Sequence, residues 1–131
     1  MKAYVLDTHM LWWYLLGKNR KLSHAARQAF EEGERGEAIL YLPIIVLFEL
    51  WDANRRSGFR FDFQRTIQEI HQAAQFIVVP LDEDDIDAYD QLAAIPEGRD
   101  RLIATATIKM DAPLLTVDQE IIASSAVQVL E

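Results

Sequence analysis

Four acidic residues occupy positions in the sequence where they could take part in chemistry. Asp7 ends the apolar run Ala3–Leu6, and Asp118 follows a second apolar run. Glu49 lies alone within an apolar segment of helical length, and Asp100 opens another helical segment. An ionised carboxylate at the end of a buried strand is costly unless it is hydrated, paired or bound to a cation. In open α/β sheets ligands bind at that edge, so the four acids are candidates for one shared site.

The residue types available restrict the chemistry of such a site. Four carboxylates in one cleft would repel each other and partly protonate unless a cation held them. The chain has no Cys and only three His, which lie in helical segments without a nucleophile motif. The ligands would therefore be oxygen atoms, which suit Mg²⁺ or Mn²⁺ better than zinc. Such ions promote phosphodiester hydrolysis by polarising the phosphoryl oxygen and generating hydroxide.

Two of the four acids also have a simpler interpretation. Asp7 could merely help to cap the helix that follows it, and Glu49 could face solvent on its helix. The acidic run Asp82–Asp85 resembles a metal site at first sight. Acids before a helix are favoured by the helix dipole and usually face water, so we expect no catalytic role for this run.

The acids must be positioned by an alternation of strands and helices. Short apolar runs predict strands at residues 3–6, 38–42, 76–79, 112–116 and 127–130, with helical segments between them. This alternation predicts one α/β domain, residues 1–131, around a parallel sheet. Thr8 and Ser23 are the expected N-caps of the first two helices, and Pro43 suits the first turn of the helix that carries Glu49.

Composition and charge limit the class of protein. The chain has 131 residues, half of them hydrophobic, which is enough for a core. The formal net charge of −8 argues against a broad basic surface for nucleic acid, although carboxylates that bind cations contribute to that total. The sequence begins with Met and shows neither a secretory segment nor a membrane-length apolar run. We therefore expect a cytoplasmic protein that does not bind membranes.

The order and spacing of the acidic segments resemble a PIN-domain ribonuclease, in particular the VapC-type toxins of bacterial toxin–antitoxin pairs. The resemblance covers nearly the full length and rests on residues Tyr4–Trp13, Leu47–Leu50, Arg99–Ala106 and Pro113–Asp118. It implies a three-layer α/β/α sandwich with a parallel five-stranded sheet in the order 3-2-1-4-5.

The resemblance also implies a function and a set of site residues. Asp7, Glu49, Asp100 and Asp118 would be the catalytic and metal-binding residues of an Mg²⁺-dependent endoribonuclease, with Mn²⁺ as a possible substitute. Thr8 and Thr116 would support them by orienting an acid or a bound water. The substrate would be RNA, and the partners would be a cognate antitoxin and a second copy of the chain.

The sequence departs from the family pattern at three places. Arg99 stands where many relatives have a His, and Pro43 where a Ser is common. After Asp118 only Glu120 follows closely, so occupation of a second metal site is left open.

An acidic protein needs local positive charge to bind RNA. Arg99 and Arg101 flank Asp100 and are the nearest candidates. A more distant set comprises Arg55, Arg56 and the turn Lys18–Lys21.

Aromatic residues suggest where an antitoxin could bind. Trp12 and Trp13 project about 100° apart from the first helix and are either internal contacts or part of a partner surface. Together with Tyr14 they could form one wall of a groove for an antitoxin helix. Trp51, Phe59 and Phe61 could form the other wall.

Two other classes of protein remain as alternatives. A phospho-acceptor signalling domain shares the length and the α/β alternation, but would require an Asp after strand three and a Lys after strand five. Strand three ends at Val79-Pro80, and strand five has no Lys. A PIN fold that only binds partners is the second alternative.

Overall fold

The computed structural model describes residues 1–131 and contains a five-stranded, fully parallel sheet. The strands are β1 (Lys2–Leu6), β2 (Ala38–Pro43), β3 (Phe76–Val79), β4 (Leu114–Leu115) and β5 (Val129–Leu130). Their spatial order is β3-β2-β1-β4-β5, which confirms the predicted order. A receiver-like fold has the order 2-1-3-4-5, so the topology excludes the signalling-domain alternative.

Seven helices connect and cover the strands. They are α1 (Thr8–Leu15), α2 (His24–Glu34), α3 (Ile44–Arg56), α4 (Phe63–Gln72), α5 (Asp85–Gln91), α6 (Gly98–Met110) and α7 (Gln119–Ser124). A single 3-10 turn, Asn19–Lys21, follows α1. None of the helices is long and apolar enough to cross a membrane.

Two helix starts differ from the sequence-based expectation. The N-cap of α1 is Asp7, whose Oδ1 accepts a hydrogen bond from the amide of Met10 at 3.1 Å, whereas Thr8 was the expected cap. Helix α6 begins at Gly98 with Glu97 as its N-cap, so Asp100 lies within the first turn. In both cases the helix is capped by an acid that precedes the expected start, Asp7 by one residue and Glu97 by three. Its carboxylate accepts from a free amide of the first helical turn. The Ser23 cap of α2 is confirmed.

The strands β4 and β5 are shorter than the apolar runs that predicted them. Regular pairing is limited to Leu114 and Leu115 against Val129 and Leu130. Pro113 has no amide hydrogen for the ladder, and its carbonyl accepts from Val5. The shortened strand still places residues 116–118 directly at the edge where β1 ends.

The core lies at the centre of the sheet and beneath the helices. The largest side chains without solvent exposure include Leu6, Leu40, Leu50, Ile103 and Leu115, one from each of five central elements. Close packing on both faces explains why β1 and β2 are continuous apolar runs. The edge of this buried sheet, where β1 and β4 end side by side, is the position of the site.

The tryptophans of α1 are half-buried and pack against the core. The ring of Trp12 lies 5.6 Å from that of Phe61, and the ring of Trp13 lies 5.5 Å from that of His9. The surplus aromatic surface of α1 is therefore largely used within the chain. Because Trp12 meets Phe61, the two walls of the expected antitoxin groove are in contact with each other.

Candidate active site

A cavity of about 410 Å³ lies at the carboxyl edge of β1 and β4. All four predicted acids line it, together with Thr8. Its other lining residues are His9, Trp12, Trp13, Ala53, Arg56 and Ile103. The segments that follow β1 and β4 supply Asp7 and Asp118, while α3 and α6 supply Glu49 and Asp100 from the neighbouring helices. The structure therefore brings together residues that are up to 111 positions apart in the sequence.

Asp7 is the most buried of the four acids, with 5% of its surface exposed. Its Oδ1 caps α1, and the hydroxyl of Thr116 donates a hydrogen bond to its Oδ2. Burial raises the pKa of Asp7, and the hydrogen bonds from Thr116 and Met10 oppose that rise. Asp7 therefore caps α1, as the simpler interpretation expects, and it also lines the acidic cavity.

Thr116 connects the ends of two strands. While its hydroxyl donates to Asp7, its Oγ1 accepts a hydrogen bond from the amide of Asp118 at 3.0 Å. Asp118 in turn caps α7 through Oδ1, which accepts from the amides of Glu120 and Ile121. The supporting position predicted for Thr116 therefore corresponds to a bridge between the two strand-end acids, although Thr116 does not itself line the cavity.

Glu49 projects from α3 into the cavity rather than into open solvent, and 22% of its side chain is exposed. The hydroxyl of Thr8 donates to its Oε1 at 2.7 Å. Its Oε2 lies 3.8 Å from the guanidinium of Arg99. One carboxylate oxygen of Glu49 is thus fixed by a hydroxyl, and the other forms a long ion pair with Arg99.

Asp100 shows most directly that the site carries excess negative charge. Partial burial, followed by the charges of Asp118, Glu97, Glu49 and Asp7, raises its pKa to about 6. The positive charge of the neighbouring Arg99 is already shared between Glu97 and Glu49. The carboxylates therefore favour a proton or an added cation.

The donor atoms suit magnesium, although they do not form a closed cage. No three Asp, Glu or His side chains lie close enough together to hold one cation among them. Magnesium commonly uses only one or two carboxylates and keeps several waters. A cavity lined by four carboxylates, in which burial and the neighbouring negative charges raise the pKa of Asp100, fits that mode of binding.

The two arginines predicted to contact RNA differ in their surroundings. Arg99 is exposed at the cavity mouth beside Glu49 and Glu97. Arg101 does not line the cavity. Its guanidinium donates twice to the carbonyl of Ile95, at 3.1 and 2.8 Å, and lies 4.8 Å from the ring of Tyr89. Arg101 thus supports the loop before α6.

Sequence reasoning did not place Arg56, His9 or Glu97 at the site. Arg56 is seven residues after Glu49 on α3, which puts both on one helix face, and that spacing could have revealed it. His9 follows the Asp7-Thr8 pair directly. Nothing in the sequence indicates that Glu97 caps α6, because Glu is not among the preferred N-cap residues.

The acidic run before α5 lies elsewhere. Asp82 and Asp85 each pair with Lys109 of α6 at 3.2 Å. Lys109 also donates to the carbonyl of Pro80. These contacts tie the loop after β3 to α6, and none of these residues lines the acidic cavity.

Fold and cavity together define an α/β protein whose acidic site lies at the carboxyl edge of a parallel sheet. The PIN-domain family model matches residues 4–125, and the chain belongs to this family. No curated protein sequence is significantly similar to the chain.

Solved structures share the fold over almost the whole length. VapBC2 from Rickettsia felis, bound to a DNA fragment from its promoter, has 18% identity and a TM-score of 0.72, covering 98% of this chain and 97% of that chain. A toxin–antitoxin complex from Klebsiella pneumoniae has 16% identity and a TM-score of 0.68, with 98% and 96% covered. FitAcB from Neisseria gonorrhoeae has 16% identity and a TM-score of 0.67, with the same coverage.

Proposed function

We propose that this protein is an Mg²⁺-dependent endoribonuclease that acts as the toxin of a toxin–antitoxin pair. The observation that carries the proposal is the convergence of Asp7, Glu49, Asp100 and Asp118 on one cavity whose negative charge is unbalanced. Membership of the PIN-domain family supports a nuclease. The toxin–antitoxin complexes among the similar structures support a toxin.

Each of the four acids would contribute to holding magnesium, directly or through water. When bound, the ion would polarise the phosphoryl oxygen and make the attacking water more acidic. Thr116 keeps Asp7 in one orientation by donating to Oδ2, and its Oγ1 accepts from the amide of Asp118, which holds the backbone of Asp118 in place. Glu49 has Oε1 fixed by Thr8 while Oε2 faces the cavity mouth, so Oε2 is suited to accept a proton from the attacking water.

Cleavage should be tested with the purified full chain and a labelled single-stranded RNA in Mg²⁺, in Mn²⁺ and in EDTA. We expect cleavage with either ion and none in EDTA. Asp7→Asn should abolish cleavage, while Oδ1 of the new side chain keeps the cap of α1. Cleavage in EDTA, or full activity of Asp7→Asn with its melting temperature unchanged, would contradict the proposal.

An antitoxin would restrain such an enzyme in the cytoplasm. An apolar groove of about 650 Å³ between α3 and α4 offers it a binding surface. Phe48 and Trp51 are 65% and 46% exposed at this groove, and the one carboxylate among the lining residues is Asp52. The amphipathic antitoxin helix would place its apolar face there.

Partner binding and self-association can be separated with one variant. Phe48→Ser should weaken antitoxin binding by at least tenfold and leave cleavage by the free protein intact. The mass of the free protein in solution would test the expected homodimer at the same time. If Phe48→Ser dissociates a dimer without affecting antitoxin binding, the groove serves self-association.

A further inference from the structure

One long stretch of this acidic chain contains no acid. Residues 8–30 include no Asp or Glu, although the whole chain has 21. The same stretch carries four cationic side chains, Lys18, Arg20, Lys21 and Arg27, and two histidines. A local excess of positive charge in a protein of net charge −8 indicates a place where a polyanion could approach.

The cations of the turn that follows α1 are available for such a ligand. Lys18, Arg20 and Lys21 form no ion pair, whereas the cations elsewhere that do so are Lys2, Arg35, Arg65, Arg99 and Lys109. The 3-10 turn Asn19–Lys21 presents Arg20 and Lys21 to solvent. Three cations within four residues thus have no acidic partner in the protein.

A row of side chains connects this turn to the acidic cavity. The ammonium of Lys21 lies 5.9 Å from the centre of the Trp13 ring. The Trp13 ring lies 5.5 Å from that of His9, at an angle of 42°. His9 and Trp13 both line the cavity with Asp7 and Asp118. Two aromatic rings followed by a positive charge therefore lead outward from the site.

We propose that this row binds the single-stranded RNA next to the cleaved bond. In this arrangement a base stacks on Trp13 with His9 beside it, and the following phosphates bind Lys21 and the cations of the turn. The inference rests on the proposed ribonuclease function and specifies how the same site holds its substrate. Proteins hold unpaired bases on aromatic rings and bind the backbone with nearby cations. In a duplex the paired bases would not be free to stack on these rings.

Binding can be measured apart from cleavage. The Asp7→Asn chain is titrated in Mg²⁺ with a fluorescent oligouridylate of about 12 nucleotides, a length typical of single-strand sites. In that background Lys21→Gln is compared with Arg65→Gln, which removes one exposed charge from a surface pair on α4. Lys21→Gln should weaken binding severalfold and reduce the slope of log K against log salt by about 0.7. Arg65→Gln should change neither quantity.

The stacking surface is tested separately from charge. His9→Ala removes an exposed ring without disturbing the core and should weaken binding severalfold. Trp13→Leu should weaken it on the order of tenfold, as expected for the loss of one stacked base, while Trp13→Phe retains most of the affinity. The duplex form of the same probe should bind less tightly and be insensitive to His9→Ala.

The outcomes distinguish this inference from the proposed function. If the wild-type protein cleaves RNA but Lys21→Gln and His9→Ala bind the probe as tightly as their background, the inference is wrong and the ribonuclease assignment stands. If these variants lose antitoxin binding instead, the row is a protein interface, which also overturns the inference. If the wild-type chain neither binds nor cleaves RNA, the proposed function itself fails.

Discussion

The hydroxyl of Thr8 donates a 2.7 Å hydrogen bond to Oε1 of Glu49, although the two residues are 41 positions apart. Thr8 opens α1, and Glu49 lies in the middle of α3. The bond fixes the carboxylate and leaves Oε2 toward Arg99. We expect Thr8→Val to lower the cleavage rate by roughly 10-fold to 100-fold, the usual cost of losing a partner that orients a ligand.

Thr8→Ser is the matched control, because it keeps the hydroxyl and should keep most of the activity. Neither variant removes the cap of α1, which Asp7 provides, so their melting temperatures should stay close to that of the wild type. Equal activity of Thr8→Val and Thr8→Ser would show that Glu49 needs no orientation by Thr8.

The positions of the acids could be predicted because they follow from backbone pattern. Asp7 ends a continuous apolar run, and such runs are buried strands of a parallel sheet. Asp118 follows another such run, and the strand order then brings the two ends side by side. Glu49 was recognisable as a single charge in an apolar helix.

The contacts between side chains could not be predicted in the same way. The family resemblance implies that Thr116 orients an acid, but which acid it contacts depends on a hydroxyl rotamer, and the inward direction of Arg101 depends on the path of the loop at Ile95. Glu97 caps α6 only because that loop brings its carboxylate to the amide of Asp100. These features depend on tertiary geometry that spacing in the sequence does not encode.

Divalent cation should stabilise the folded protein. Bound at about 100 times its dissociation constant, it should add roughly 2.7 kcal/mol to the free energy of unfolding. Asp118→Asn should reduce this gain, because it removes one negative charge while Oδ1 continues to cap α7. Thermal unfolding with and without Mg²⁺ measures both effects, and a wild-type curve that is indifferent to Mg²⁺ would argue against a metal site.

Without divalent cation, Asp100→Asn should stabilise the protein in a pH-dependent manner. The pKa of Asp100 is raised from 3.8 to about 6 in the fold, first by burial and then by the neighbouring carboxylates. The contribution of the wild-type Asp100 carboxyl group to stability is therefore complete below pH 3.8, where the group is protonated, and is lost as the pH rises through 6. The advantage of Asp100→Asn in EDTA should grow over that window to about 1 kcal/mol, since the side chain is partly exposed and solvent screens its charge.

Glu32, which does not line the acidic cavity, provides a control of opposite sign. The ammonium of Lys2, 2.7 Å away, hydrogen bonds to Glu32 and lowers its pKa, and the hydroxyl of Tyr4 adds to the effect. The stabilisation from Glu32 is present above its ordinary pKa and is lost as the pH falls through the lowered value. Glu32→Gln should therefore destabilise the protein at neutral pH. If Asp100→Asn also destabilises it in EDTA, the carboxylates of the cavity do not repel one another.

Arg99 and Arg101 should have separable effects, although only one residue stands between them. Arg99 is exposed at the cavity mouth and pairs with Glu49 and Glu97. Arg99→Gln should weaken RNA binding and reduce the salt slope by about 0.7, the loss of one phosphate contact on a single strand.

Arg101→Gln should lower the melting temperature, because it removes both bonds to the Ile95 carbonyl and the contact with Tyr89. The salt slope of Arg101→Gln should match the wild type at a temperature where both are folded, because its guanidinium is already bound within the chain. A reduced slope for Arg101→Gln would mean that the loop before α6 opens to let this side chain reach RNA, and an unchanged slope for Arg99→Gln would mean that its charge serves only the carboxylates beside it.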